Sequence, residues 1–99
     1  MSMPNTYQPS MHHLCYEARL RLRQLREAMG LSRPKFADLL GIPPTTLKNY
    51  ELGYREIGGG TFLLIANHRE LAEFSPWLMT GINPPQLILT ADDVSALNP

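Results

Sequence analysis

Three glycines do most to limit what this chain can become. Gly30, Gly41 and Gly53 cut its middle into segments of ten and eleven residues, each apolar along one side. Segments that short, each closed by a glycine, read as single short helices with C-terminal stops. Upstream of them, Leu14, Ala18, Leu22, Leu25 and Met29 recur at steps of three or four. That spacing predicts a helix from Leu14 to Met29 with one apolar face. Arg19, Arg21, Arg23 and Arg26 fall between the apolar positions and not all on one side.

"LSRPKFADLLG" repeats the pattern on a smaller scale. Ser32 is a candidate N-cap, and Arg33 and Pro34 fill the first turn, where the missing proline N–H costs nothing. Phe36, Ala37, Leu39 and Leu40 supply the apolar face. The next segment, "GIPPTTLKNYE", has two prolines at its mouth. A residue before proline is pushed out of the helical region, so Ile42 and Pro43 are predicted to be extended. Pro43 then suits the N-cap, and Pro44 suits the first helical position, its φ already near helical values. Leu47 and Tyr50, three apart, face inward. The prolines start a helix; they do not break one. Helix, turn, helix, a glycine-containing turn and another short helix form the helix-turn-helix pattern.

The flanks are less regular. Met1 to His13 is polar and proline-bearing and reads as a mobile arm, with Ser10 a candidate cap for the helix after it. Gly58 to Gly60 reads as a flexible connection, and Thr61 as a cap for a helix carrying Phe62, Leu63, Ile65 and Ala66. Arg69 to Phe74 is weakly bounded and helical. Ser75 and Pro76 make a cap and first position for "WLMTG", stopped by Gly81. The last stretch is a tail in which Leu87 to Leu89 predict a short strand. The organisation expected is an arm over 1–13, a helical domain over 14–81 and a tail over 82–99 that is a candidate dimerisation element.

Composition narrows the function. Ninety-nine residues, 43% of them hydrophobic, suffice for one domain with a modest core. The net charge is zero, yet residues 1–55 carry eight of the nine Lys and Arg against four acids, and residues 56–99 carry Arg69 against five. A domain polarised in this way can hold a basic face for phosphates while its total is neutral; a solvated basic helix is the plainer alternative. No apolar run approaches the roughly 18 residues of a membrane span. The first ten residues do not read as a signal peptide. The single Cys15 fits a reducing compartment, so a cytoplasmic location is expected. His12, His13 and Cys15 lack a second cluster at ligand spacing, His68 being isolated, so no metal is expected. The glycine triplet lacks the Lys-Ser/Thr of a phosphate loop. No nucleophile–base or paired-carboxylate pattern stands out, so the chain reads as a non-enzyme without a cofactor.

The segment "RLRQLREAMGLSRPKFADLLGIPPTTLKNYELGYR" resembles the DNA-binding domain of phage repressors, Cro proteins and xenobiotic-response-element regulators. The residues that carry the resemblance are Arg26, Gly30-Leu31-Ser32, Arg33, Phe36-Ala37, Gly41-Ile42, Leu47, Tyr50-Glu51 and Gly53. "WLMTG" is similar to that family's usual last helix. The likeness runs from about Arg21 to Gly81, loosely between Glu56 and Ser75.

The resemblance implies an all-α, lambda-repressor-like fold, a compact bundle of about five helices with the third in the major groove of double-stranded DNA. It puts base contacts at Pro44, Thr45, Thr46, Lys48 and Asn49. Asparagine suits an adenine edge, lysine a guanine edge or phosphate, and a threonine methyl a thymine. Pro44 departs from the polar side chain often found there, which moves readout to Thr45 and beyond. Arg33 matches a phosphate-holding position, with Lys35 and Arg55 as further phosphate candidates. Arg26 and Glu51 correspond to a partly buried ion pair between helices one and three. The last helix of the family often forms a dimer contact, which makes Phe74, Trp77, Leu78 and Met79 candidates for it; closing the monomer core is the equal alternative. Leu87, Ile88 and Leu89 either pair across the two-fold axis or lie back on the bundle. The function implied is a transcriptional repressor binding a palindromic operator as a homodimer. An antitoxin that binds DNA and a toxin protein is one alternative. A protein-interaction module without DNA binding is another.

Overall fold

The computed structural model describes residues 9–97, with side chains through Ala91. The mobile-arm reading of residues 1–8 lies outside the described residues. All regular structure among those described is helical: α1 (Met11–Ala28), α2 (Arg33–Leu40), α3 (Pro44–Leu52), α4 (Gly59–Ala66), a 3₁₀ turn (Ala72–Phe74) running into α5 (Ser75–Thr80), and α6 (Gln86–Leu97).

α1 begins before its apolar period does. The Ser10 hydroxyl accepts the His13 N–H at 3.1 Å, so His12 and His13, expected in the arm, lie in the first turn. A cap sets a helix start without any core contact, whereas periodicity registers only the buried part. Leu14 is 47% exposed, and burial begins at Ala18. α2 starts at Ser32 as its cap and ends at Gly41, whose φ of 81° is open to glycine at little cost. There the Gly41 and Ile42 N–H groups both donate to the Ala37 carbonyl, at 2.9 and 3.0 Å, and turn the chain into α3. Pro43 is extended (φ −64°, ψ 144°) and Pro44 opens the helix, as the two-proline reading expects.

α3 packs against α1 and α2, α4 against α2 and α5, and α1 against α5 and α6. Their apolar faces meet in one core: Leu22 and Leu25 of α1, Phe36, Ala37 and Leu40 of α2, Leu47 and Tyr50 of α3, Ile65 of α4, then Leu71, Phe74, Trp77, Leu78 and Ile88. Four of the residues expected as dimer candidates are therefore corrected. Phe74, Trp77, Leu78 and Ile88 close the core of the monomer, while Met79, Leu87 and Leu89 remain exposed.

Three local expectations also change. The glycine triplet is not a flexible connection. Gly58 is the N-cap of α4 and Gly59 and Gly60 form its first turn. Thr61 is consequently inside the helix and buried, with its hydroxyl 3.1 Å from the Tyr50 hydroxyl. A buried phenol needs a polar partner, and that need outweighs the local preference of threonine for a cap. Ser75 likewise sits inside α5, whose cap position is Phe74, and only Ala72–Phe74 of the preceding stretch is regular. Finally, Leu87 to Leu89 lie in a helix, not a strand. The Ile88 and Leu89 N–H groups donate to the Pro85 carbonyl at 3.0 and 3.3 Å, so Pro84 and Pro85 precede a helix start much as Pro43 does. An apolar run of three cannot distinguish a period of two from one of 3.6. Packing against α1 buries Ile88 alone of the three.

Gly53 closes α3 with φ 79°, and the Tyr54 N–H donates back to the Asn49 carbonyl at 2.9 Å. A Cβ there would collide with the Arg19 guanidinium. Gly53→Ala is expected to lower stability by about 1–2 kcal/mol from the left-handed backbone, while the flexible end of Arg19 moves aside. Thermal melting reads this directly, and an unchanged midpoint would mean the turn relaxes freely.

Candidate nucleic-acid interface

α3 has two chemically distinct sides. Leu47, Tyr50 and Glu51 are buried and hold the helix to the bundle. Pro44, Thr45 and Lys48 are exposed, and Thr46 and Asn49 are half-buried beside them. Positions 45, 48, 49 and 52 share one face by helical spacing. That face offers a hydroxyl with a methyl, an ammonium and a carboxamide, which can both donate to and accept from a base edge. The ring of Pro44 offers only apolar contact.

Beneath that face lies a charged network. Arg26 makes two hydrogen bonds to Glu51, from Nε to Oε2 at 2.7 Å and from Nη2 to Oε1 at 3.0 Å. Its Nη1 donates to the Leu31 carbonyl at 2.9 Å, tying the α1–α2 turn into the same group. The Glu51 side chain is 0% exposed. Burial pushes its carboxyl up, and the hydrogen bonds and charges of Arg26 and Arg33 outweigh that, holding it below its ordinary value. The hydrogen bond to Glu51 in turn holds Arg26 above its ordinary value, against burial.

Arg33 belongs to this network, which the sequence does not reveal. Its Nε donates to Glu51 Oε1 at 2.9 Å, while its side chain keeps 31% exposure. Two guanidinium groups around one carboxylate leave a net positive charge at the junction of α2 and α3. The N-terminus of α2 itself offers few free donors. The Ser32 hydroxyl takes the Lys35 N–H, the Ser32 carbonyl takes the Phe36 N–H, and Pro34 has none to give.

The remaining basic residues sort by partner. Arg23 pairs with Glu27 at 3.1 Å. Arg21, its charged form disfavoured by burial, donates to the Leu78 carbonyl at 2.8 Å. Among the described residues no carboxylate lies within 4.0 Å of Arg19, Lys35, Lys48 or Arg55. Lys35 and Lys48 are exposed. Arg19 and Arg55 lie over the rings of Tyr16 and Tyr50, at 4.8 and 5.6 Å. Arg19 is absent from the sequence-based candidates, because its place against Gly53 has no local signature. Tyr54, 77% exposed just past α3, is a second such residue.

Among the described residues no three His, Cys, Asp or Glu side chains come together as a metal site, and no helix is long and apolar enough to cross a membrane.

A family model described as helix-turn-helix matches residues 22–68, which run from within α1 to just past α4. No curated protein and no solved structure matches the chain.

Proposed function

This chain carries a helix-turn-helix domain of the phage repressor, Cro and xenobiotic-response-element regulator family, and from that premise we propose that it is a repressor binding a palindromic operator as a homodimer, with α3 in the major groove. DNA-binding transcriptional regulation is the role of the domain. The operator, the dimer and the assignment of single residues are our reading. The observation that carries it is the division of α3 between a buried scaffold side, Leu47, Tyr50 and Glu51, and a polar outer side, Thr45, Thr46, Lys48 and Asn49. In this reading the outer side meets base edges, and Pro44 adds apolar contact with a thymine methyl. Arg33, Lys35 and Arg55 hold phosphates. For Arg33, the bond to Glu51 fixes Nε and leaves its outer nitrogens for that task. The exposed apolar residues Met79, Leu87 and Leu89 supply the dimer contact.

Selection from a random DNA library at fixed, stated salt tests the reading. A recovered palindrome with half-sites about one helical turn apart is the expected result. No enrichment even at low salt would overturn it in favour of a protein-interaction module, and co-purification with a toxin would add the antitoxin role.

On the recovered operator, two variants should behave differently. Asn49→Ala is expected to relax preference at one base pair, by about 1–3 kcal/mol. Arg33→Ala is expected to weaken all sequences alike and to reduce the salt slope by about 1. Equilibrium titrations over several salt concentrations read both effects, and matching profiles for the two variants would contradict the division between base and phosphate contacts.

A further inference from the structure

Resting on the DNA-binding reading above, we propose that Arg19 completes the phosphate contact of Arg55: the cleft between α1 and the turn after α3 holds one phosphodiester of the duplex backbone between the two guanidinium groups, beyond the base pairs read by α3. The cleft, of about 150 Å³, has His12, Tyr16, Arg19, Gly53, Arg55 and Glu56 among its walls. Its two guanidinium groups and single carboxylate give it a net positive charge.

Three observations make it suited to an anion. First, neither arginine has a carboxylate within 4.0 Å among the described residues, so neither charge is neutralised by a close ion pair. Second, each guanidinium rests on an aromatic ring, Arg19 over Tyr16 and Arg55 over Tyr50. A cation–π contact attracts the guanidinium to the ring without taking any of its N–H donors, so the ring steadies the cation and leaves those donors for an anion. A side chain held in this way loses less freedom on binding than a solvated lysine does. Third, Gly53 admits the Arg19 guanidinium where any Cβ would collide with it. The glycine that ends α3 thus also seats the α1 arginine beside the turn that carries Arg55.

A phosphodiester and a free phosphate share this chemistry, and the test separates them. On the selected operator, Arg19→Gln and Arg55→Gln are expected each to reduce the slope of log K against log salt by about one. In ethylation interference both should erase the same single backbone position, with base preference unchanged. Arg19→Lys should restore the slope, since it keeps the charge. Thermal melting of each variant separates a binding effect from loss of fold. An unchanged slope and interference pattern in folded Arg19→Gln overturns the proposal while leaving the operator reading intact. Stabilisation of the wild type by inorganic phosphate, lost in Arg19→Gln without any change in salt slope, overturns it in favour of a small free anion. Failure of the wild type to retain any duplex overturns both this site and the DNA reading.

Discussion

Glu51→Ala is expected to lower the unfolding free energy by about 3–5 kcal/mol, the range for breaking a buried ion pair by removing one partner. The carboxylate is fully buried and accepts from Arg26 twice and from Arg33 once. Alanine leaves two guanidinium groups facing a small void, and Arg26, with a side chain only 12% exposed, cannot easily turn to water. In a domain of this size the melting temperature falls by about 4–8 °C per kcal/mol. Calorimetry or thermal circular dichroism measures the loss, and a wild-type midpoint in the variant would show that the network adds no stability. Glu51→Gln, close in shape, gives a second test through pH. The folded Glu51 carboxyl titrates below its ordinary value. Its stabilisation is therefore fully present above the unfolded value of about 4.3 and is lost as pH falls through the folded one. The wild type should lose stability in acid to a degree that Glu51→Gln does not.

Trp77→Ala is expected to cost about 3–5 kcal/mol of monomer stability, as truncation of a large buried aromatic does. Trp77 is 4% exposed and lies in the core cluster with Leu22, Phe74 and Leu78. The same substitution at an interface would instead leave the monomer folded and change only its self-association. Denaturant melts at several protein concentrations separate the two. A loss independent of concentration fits a core tryptophan, and a loss confined to high concentration would sink the assignment. Met79→Ala is the control: at 56% exposure it should change folding stability by less than about 0.5 kcal/mol. Any effect on dimerisation then appears in sedimentation.

How much is legible in the sequence depends on the range of the interaction involved. The helix-turn-helix core is written in local chemistry. Ser32, Pro34 and Gly41 bound α2, and Pro43, Pro44 and Gly53 bound α3, each through a backbone preference acting within a few residues. Leu47 and Tyr50 follow from helical spacing alone. The Arg26–Glu51 contact is legible only through family resemblance, because the two residues are far apart in the chain. Thr61 reads wrongly as a cap for a related reason: its partner, the Tyr50 hydroxyl, lies on another helix. The tail reads wrongly as a strand because a short apolar run carries no period of its own.

The candidate interface divides in the same way. The inward side of α3 is legible in Leu47 and Tyr50, since their spacing and the two prolines set both the start and the phase of the helix, whereas the burial of the polar Glu51 beside them and the base-contact positions come through the family resemblance. Which basic residues are neutralised is not, because a surface arginine leaves no mark on its neighbours in the chain. Arg33 joining Glu51, Arg19 settling against Gly53 and four supposed dimer residues closing the core are all outcomes of packing. The sequence by itself therefore determined where the helices of the motif begin and end and which side of α3 turns inward. Only the tertiary structure decided which charges remain unpaired and which apolar residues remain exposed, because both depend on what distant segments bring into contact.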